Sequence, residues 1–382
     1  MSAPTAFVLR VPDADIDDLR ERLGRTRFPD QAPGEPWAYG TDLDYMRGLI
    51  PYWRDRFDWR AQEALLNAFP QFKARVHGID VHFLHVPGKG PDPKPLLLMH
   101  GWPGSVFEFV DLIPRLTDPA AFGGDPADAF TVVAPSLPGF GLSFAPGQKR
   151  FSVEEMAECL HDLMTGALGY RRYAAQGGDY GAYLSSRLGH AHPGSLIGLH
   201  ITLLTIARNM APPADPTPEE AAYFAELANW LKEETGYSWI QGTRPQTLAF
   251  PLTDSPAGLC AWIAEKFRAL SDIRPGFEAA IDRDRMLANI SLYWFTGAIG
   301  SASWPYYARH HGPWPIPEGG VTAPMGYASF PHEILHPPRS LAEKTYLDIR
   351  RWTEMPSGGH FSAMQEPEAL AREVRAFFRD LR

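Results

Sequence analysis

A mostly parallel α/β sheet with helices on both faces is predicted by two observations: short apolar runs occur at residues 95–99 and 131–134, with a weakly apolar segment at 173–176 read as a strand mainly from its position, and segments of helical length separate them. The chain has 382 residues, 45% of them hydrophobic and 21% charged, enough for one large buried core carrying insertions. Ahead of the sheet the period is helical. Residues 13–25 set Ile16, Leu19 and Leu23 at helical spacing behind Asp13 and Asp15 as N-terminal caps, and Met46, Leu49, Ile50 and Trp53 form a second stripe that Pro51 interrupts. At Phe72 the period becomes that of strands, and residues 72–76 and 79–85 flank His77-Gly78 as a hairpin. Ser152 and Glu155 form a capping box for an amphipathic helix through Val153, Met156, Leu160, Leu163 and Met164. Residues 209–220, rich in proline and acid, predict an exposed excursion into a helical insertion that runs to about residue 308. A Pro- and Gly-rich loop over 311–320 returns the chain to strand-like segments at 325–330 and 345–349, and a closing helix carries Leu370, Val374, Phe377 and Leu381 on one face. The expected organisation is an N-terminal extension over 1–70, a sheet core over 71–208 and 313–382, and a helical cap over 209–312.

Composition removes several classes of function. Lys and Arg number 36 against 45 Asp and Glu, a net charge of -9, and the basic residues are scattered, which argues against a nucleic-acid partner. Two cysteines, Cys159 and Cys260, exclude a disulfide scaffold or a multi-cysteine metal cluster and fit a reducing compartment, so a cytoplasmic enzyme is expected. The N-terminal residues turn acidic where a signal peptide needs an apolar core, and no stretch approaches the ~18 apolar residues that span a bilayer. A soluble protein without membrane contact is the expectation.

Segment 176–182 carries the pattern Gly177-x-Asp179-x-Gly181 between a predicted strand and a predicted helix. In a nucleophile elbow the strand turns so sharply that the tip residue takes strained dihedrals, and only glycines two before and two after it avoid a clash. Asp179 is the tip, and a carboxylate there sits at the positive end of a helix. A glycine-rich turn capped by an aspartate is the plainer reading of those residues alone. It weakens beside His100-Gly-Trp-Pro-Gly104, which ends a strand in a loop whose backbone N–H groups suit a reacting oxygen. That His-Gly turn resembles the one after the third strand of α/β-hydrolases, which makes the N–H groups of Trp102 and Tyr180 the expected oxyanion donors. No Gly-x-Ser-x-Gly occurs; the nearest approach, around Ser143, runs into Pro146-Gly147 instead of a helix, so a serine nucleophile is not expected.

An ester on Asp179 needs a base for its hydrolysis, and His360, preceded by Gly358 and Gly359 after the last predicted strand, stands where that base belongs. A carboxylate should orient the imidazole. Glu333, at a strand end, is preferred to Asp348, which alternates with apolar neighbours inside a predicted strand. The same glutamate lies in His332-Glu-Ile-Leu-His336, a formal match to the zinc motif H-E-x-x-H. That chemistry needs a continuous helix, yet Pro331 and Pro337-Pro338 leave only five residues between prolines, so no metal is expected.

Taken together, the residues resemble epoxide hydrolases of the microsomal type, α/β-hydrolases with an extra N-terminal domain and a helical cap. The likeness covers almost the whole chain: residues 15–23 with Thr26-Arg-Phe-Pro29, His100-Gly-Trp-Pro-Gly104, Gly177-Gly-Asp179, residues 237–246, Ser291-Leu-Tyr-Trp294 and Gly358-Gly-His360-Phe361. The resemblance implies Asp179 as nucleophile, His360 as base, Glu333 as its acid partner, and two cap tyrosines that hold the epoxide oxygen. Tyr237 matches one; the other falls at Tyr306 or Tyr307, with spacing in favour of Tyr306. Many relatives have Trp after the nucleophile where Tyr180 stands, and no counterpart of the mammalian membrane anchor is expected. The implied reaction converts a small epoxide to a vicinal diol through a covalent aspartyl ester that His-activated water hydrolyses, without a cofactor. Eleven tryptophans and 22 phenylalanines allow an apolar or aromatic pocket, and a homodimer is left open. The alternatives are a haloalkane dehalogenase, which also uses an elbow aspartate but needs donors for a departing halide instead of paired phenols, and a catalytically silent scaffold that binds a ligand.

Overall fold

The computed structural model describes residues 3–207 and 210–381, so the expected junction at 208 and 209 lies outside the described residues. The N-terminal region is largely helical: α1 (Asp13–Gly24), α2 (Leu43–Asp55) and α3 (Trp59–Asn67) bury the two stripes read from the sequence. Asp13 and Asp15 do not cap α1. Pro12 occupies that position, and the two carboxylates stand in the first turn, where the helix dipole favours them. The cap role falls to Asp42 in α2, whose side chain accepts from the Tyr45 N–H, and Pro51 is accommodated on the exposed side of that helix.

Among the described residues nine strands form one sheet: β1 (Thr5–Phe7), β2 (Gln71–Val76), β3 (Ile79–Val86), β4 (Lys94–Met99), β5 (Phe130–Pro135), β6 (Tyr173–Gly177), β7 (Leu196–Ile201), β8 (Met325–Ser329) and β9 (Ile349–Glu354). Their order is β1-β2-β3-β5-β4-β6-β7-β8-β9. The first three pairings are antiparallel and the rest parallel. The β2–β3 hairpin turns at His77 and Gly78, both at positive φ, the geometry of a two-residue turn that follows the strand twist. α4 (Leu112–Thr117), α5 (Val153–Asp162), α6 (Asp179–Ala191) and the closing helix cover the sheet; α5 carries the expected capping box of Ser152 and Glu155.

After β7 the chain leaves the sheet and builds α7 (Pro218–Glu233), α8 (Gly236–Thr243), α9 (Pro245–Asp254), α10 (Pro256–Ala269), α11 (Phe277–Ala280), α12 (Arg283–Thr296), α13 (Ile299–Ala302) and α14 (Trp304–His311) before returning at β8. Thr217 and Glu220 form a capping box, so the end of the predicted 209–220 excursion already belongs to α7. Three short or terminal helices complete the chain: α15 (Arg339–Ala342), α16 (Ser362–Gln365) and α17 (Pro367–Arg379); Leu381 is buried but lies beyond α17. The strand expected at 345–349 is displaced to β9. Tyr346, the apolar anchor of that segment, packs in a turn with its phenol oxygen 2.8 Å from Ser186 Oγ and 2.7 Å from Thr205 Oγ1. The true strand is the sheet's outer edge, where Arg350 and Arg351 mask the alternation. No helix of the described residues is long and apolar enough to cross a membrane.

From β4 the chain crosses to β5 on one side and later to β6 on the other, which opens a crevice at the carboxyl ends of β4 and β6.

Candidate active site

Asp179 stands in that crevice, at the tip of the turn from β6 into α6, with φ of 43°. A non-glycine residue in the left-handed region is strained, and it persists only where its surroundings leave no alternative. A Cβ on Gly177 would lie 2.5 Å from the Gly181 carbonyl carbon, and one on Gly181 would lie 2.0 Å from the Met99 carbonyl oxygen. Both glycines of the motif are therefore imposed by backbone packing.

Met99 pairs with Gly177, so the loop leaving β4 lies directly beside the elbow. There the Trp102 N–H donates to Asp179 Oδ1 at 2.7 Å. A Cβ on Gly101 would come within 2.2 Å of that same oxygen, which explains the glycine. The first N–H groups of α6, that of Tyr180 among them, have no partner further back in their own helix. His100 braces this loop: Leu137 N–H donates to its Nε2 at 3.2 Å, its Nδ1 lies 2.9 Å from the Gly101 carbonyl, and burial pushes it down to about 4, leaving it neutral. From the cap, α12 holds the loop's other end, with Asn289 Nδ2 donating to the Pro103 carbonyl at 2.7 Å and Tyr293 Oη to the Gly104 carbonyl at 2.8 Å.

β8 and β9 bring His360 and Glu333 to the elbow. Past the sheet their pairing continues in a parallel bridge between His332 and Gly359, and the residues that follow on each strand are Glu333 and His360. His360 Nδ1 lies 2.6 Å from Glu333 Oε1, while Nε2 lies 3.7 Å from Asp179 Oδ2. The cap fixes this loop too, through the His360 N–H to the Leu270 carbonyl at 2.9 Å and the Gly358 N–H to Asp272 Oδ2 at 3.3 Å. Burial works against charge on the imidazole, but the carboxyls of Glu333, Asp179 and Glu108 outweigh it and push His360 up to about 9.

Against the Trp102 indole lie two cap tyrosines, Tyr237 on α8 and Tyr306 on α14. Their rings are 5.9 Å apart, and each meets the Trp102 indole, Tyr237 stacked at 5.3 Å and Tyr306 edge-on at 5.7 Å. The residue that donates to Asp179 through its backbone thus carries both tyrosines on its side chain. The helices approach where α8 has Gly242, whose added Cβ would stand 3.4 Å from His310 Cβ. Tyr307 points elsewhere, stacking on Trp304 and His311.

The family described as "Epoxide hydrolase N terminus" matches residues 4–109, and that described as "alpha/beta hydrolase fold" matches residues 94–255. Epoxide hydrolase 1 of Oryctolagus cuniculus is 36% identical over 402 aligned residues, which span 97% of this chain and 88% of that one. The chain belongs to the epoxide hydrolase family. Among solved structures, juvenile hormone epoxide hydrolase from the silkworm Bombyx mori is similar with a TM-score of 0.88 at 30% identity, covering 100% of this chain and 95% of that one. The epoxide hydrolase of Aspergillus niger gives 0.86 at 28% identity, covering 100% and 97%.

In this epoxide hydrolase, sequence reasoning missed Glu108. Its carboxyl approaches Gly104 so closely that a Cβ there would overlap Oε1, and it shares a cavity with Asp179, His360, Gln176 and Thr202. Burial, with Asp179 adding to it, pushes Glu108 up to about 8, against the opposing pull of His360. The spacing Ser105-x-x-Glu108, directly after the glycine-rich turn, was the available signal. The cavity has an accessible volume of about 20 Å³, room for a single water. A roomier space of about 360 Å³ lies between residues 26–46 and α10, away from Asp179, so size does not mark the chemistry.

The remaining candidates have other employment. Asp348 pairs on the surface with Arg350. Ser143 Oγ donates to the Ser136 carbonyl at 2.7 Å and accepts from the His82 N–H at 2.9 Å, with no helix behind it. The H-E-x-x-H residues diverge along a turn: His332 Nε2 lies 3.5 Å from Asp272 Oδ1, Glu333 faces His360, and His336 Nδ1 lies 2.7 Å from Glu226 Oε1.

Proposed function

We propose that the enzyme converts an epoxide to a vicinal diol through an ester on Asp179. One observation carries the reading: the two oxygens of that carboxylate have different surroundings, Oδ1 on the Trp102 N–H and Oδ2 toward His360 Nε2. Oδ2 attacks a ring carbon, the carbon–oxygen bond of the epoxide breaks, and Tyr237 and Tyr306 donate to the departing oxygen, which leaves as a hydroxyl. Oδ1 stays in place as the ester carbonyl. A carboxylate suits the task because its alkyl ester remains hydrolysable, whereas a serine ether would be a dead end.

Alkylation also arms the base. While Asp179 is charged, it helps keep His360 protonated. Once esterified it carries no charge, the imidazolium loses that support, and its proton passes more easily, through solvent, to the phenolate that ring opening left. Neutral His360, oriented by Glu333, then takes a proton from water in the small cavity beside Glu108, and the hydroxide attacks the ester carbon. Oxyanion charge on Oδ1 rests on the N–H groups of Trp102 and Tyr180. Collapse breaks the acyl bond to Oδ2, the imidazolium gives its proton to the departing diol, which carries an aspartate oxygen, and the regenerated Asp179 carboxyl returns its proton to His360. The rings of Trp102, Tyr237 and Tyr306 around the carboxylate favour an apolar or aromatic epoxide.

His360→Gln should stop turnover after the first step. With styrene oxide, intact-mass measurement is expected to find one substrate adduct that maps to Asp179 after digestion. In a single turnover of the parent enzyme in oxygen-18 water, the first diol should carry unlabelled oxygen at the new position. Full label in that first diol means direct attack by water and sinks the ester reading.

A further inference from the structure

Each of the two phenols against Trp102 has a cation against its ring. Lys266, from α10, sets Nζ 4.7 Å from the centroid of Tyr237, and Arg309, from α14, sets its guanidinium carbon 5.6 Å from the centroid of Tyr306. The cations differ in chemistry and come from different helices, so no single motif repeats. Neither is a stray surface charge. The Lys266 side chain is 8% exposed, with Glu265 Oε2 at 2.8 Å and Glu234 Oε2 at 3.9 Å from its ammonium. Arg309 donates from Nη1 to Tyr183 Oη at 2.8 Å and also lies over the rings of Tyr183 and Tyr180, at 5.2 and 5.8 Å. A purely packing role at such positions is met more cheaply by Met or Leu, since a cation withdrawn from water carries a desolvation cost.

A cation beside an aromatic face is attracted by the ring electrons. The attraction grows when the phenol surrenders its proton, because the negative charge spreads from oxygen into the ring. Such a cation therefore favours the phenol that is giving its proton away over the one at rest. The need is plain at Tyr306: burial pushes the phenol well above its ordinary value, Tyr237, Asp179 and Tyr180 push the same way, and Arg309 pulls against them. Tyr306 faces Asp179 and Tyr180 from the core, Tyr237 from α8 and Arg309 from its own helix; Tyr237 faces Lys266, behind which stand Glu265 and Glu234.

We infer that Lys266 and Arg309 are positioning residues for ring opening, holding positive charge against the two phenols so that each bears the negative charge leaving the epoxide oxygen. The inference rests on Tyr237 and Tyr306 being the donors to that oxygen. Neither cation touches the substrate, and neither has a part in hydrolysis of the ester.

The test reads the first step alone, as the rate of adduct appearance with styrene oxide in a His360→Gln background. Adding Lys266→Met or Arg309→Met should slow alkylation roughly tenfold each. The charge-keeping variants Lys266→Arg and Arg309→Lys should restore most of that loss. In enzyme with His360 intact, Lys266→Met should leave the decay of preformed ester at the parent rate. Arg309→Met also removes a hydrogen bond from Tyr183, so Lys266→Met, checked for fold by circular dichroism, carries the decision. Alkylation at the parent rate in Lys266→Met overturns the inference, as does an equal loss in Lys266→Arg, which assigns the residue to packing. Absence of any adduct in the His360→Gln parent, with both cations in place, is a different failure: it removes the ester mechanism itself.

Discussion

Asp179, Glu333 and His360 stand on turns that end β6, β8 and β9, whereas Tyr237 and Tyr306 stand on the faces of α8 and α14. In the first group the backbone itself sets the side chain: a positive φ at Asp179, and a strand bridge one residue before Glu333 and one before His360. In the second, placement depends on how two helices pack at Gly242 and on an indole that both rings touch. The proposed reaction thus assigns bond making and breaking to the part of the molecule with the least freedom. In the same proposal the oxygen of the substrate is met by a surface that a few helix substitutions reshape without disturbing the ester chemistry.

The widest separation of the two halves comes from Asp179→Ala. It should lower turnover by about 10⁴-fold or more while the circular dichroism spectrum is unchanged, because no neighbouring group replaces the nucleophile. Substantial residual diol formation would erase the distinction between the halves.

Glycines divide the halves next. Gly181→Ala forces a Cβ against the Met99 carbonyl and should cost about 2–3 kcal/mol in urea unfolding, whereas Gly242→Ala, with ordinary contact distances inside a helix, should change stability by less than about 1 kcal/mol. Equal effects would mean that the cap is as constrained as the core.

Within the cap, Tyr306→Phe should slow adduct formation roughly a hundredfold, since a good donor is lost where charge develops. Tyr307→Phe should stay near the parent rate. Reversal of the two, measured by quenched-flow mass spectrometry, would move the second donor to the outer stack.

The smallest effect is a shift in pH. His360 is raised in the folded state from its ordinary value of 6.5 to about 9, so the stability it contributes is present in full below about pH 6.5 and is lost as pH rises through about 9. Glu333→Gln removes the strongest attraction behind that rise. The stability difference between parent and variant should therefore shrink from pH 6.5 to 9, and the acid limb of ester decay should move to lower pH. A difference that stays constant across that range would deny the coupling of Glu333 to His360.

Legibility in the sequence follows the same division. The elbow was readable because a sharp strand-to-helix turn admits only glycine at Gly177 and Gly181, and the structure shows a carbonyl or backbone carbon occupying the space of each missing Cβ. His360 was readable for a similar reason, since the added Cβ of Gly359 would stand 2.7 Å from the Leu270 carbonyl. Tyr237 and Tyr306 were not readable from residues alone, because an aromatic residue on a helix looks the same whether it packs or binds; only family resemblance singled them out. Glu108 escaped because Ser105-x-x-Glu108 reads equally well as the start of a helix, and its shift arises from burial that only the fold creates. β1, three residues long, and β9, charged at the sheet edge, left too little alternation to mark their limits. The capping reading of Asp13 and Asp15 failed because Pro12 already supplies the helix entry, with no side chain needed.

Trp102 serves Asp179 with its peptide N–H and the cap with its indole. Those duties belong to different parts of one residue, and only the second depends on the amino acid encoded there. A codon change at 102 therefore alters the wall that substrates meet while the main-chain donor survives every substitution except proline, which lacks the N–H. The position is open to drift in substrate preference at low risk to the ester chemistry, and it is a rational first site for a saturation library aimed at new epoxides.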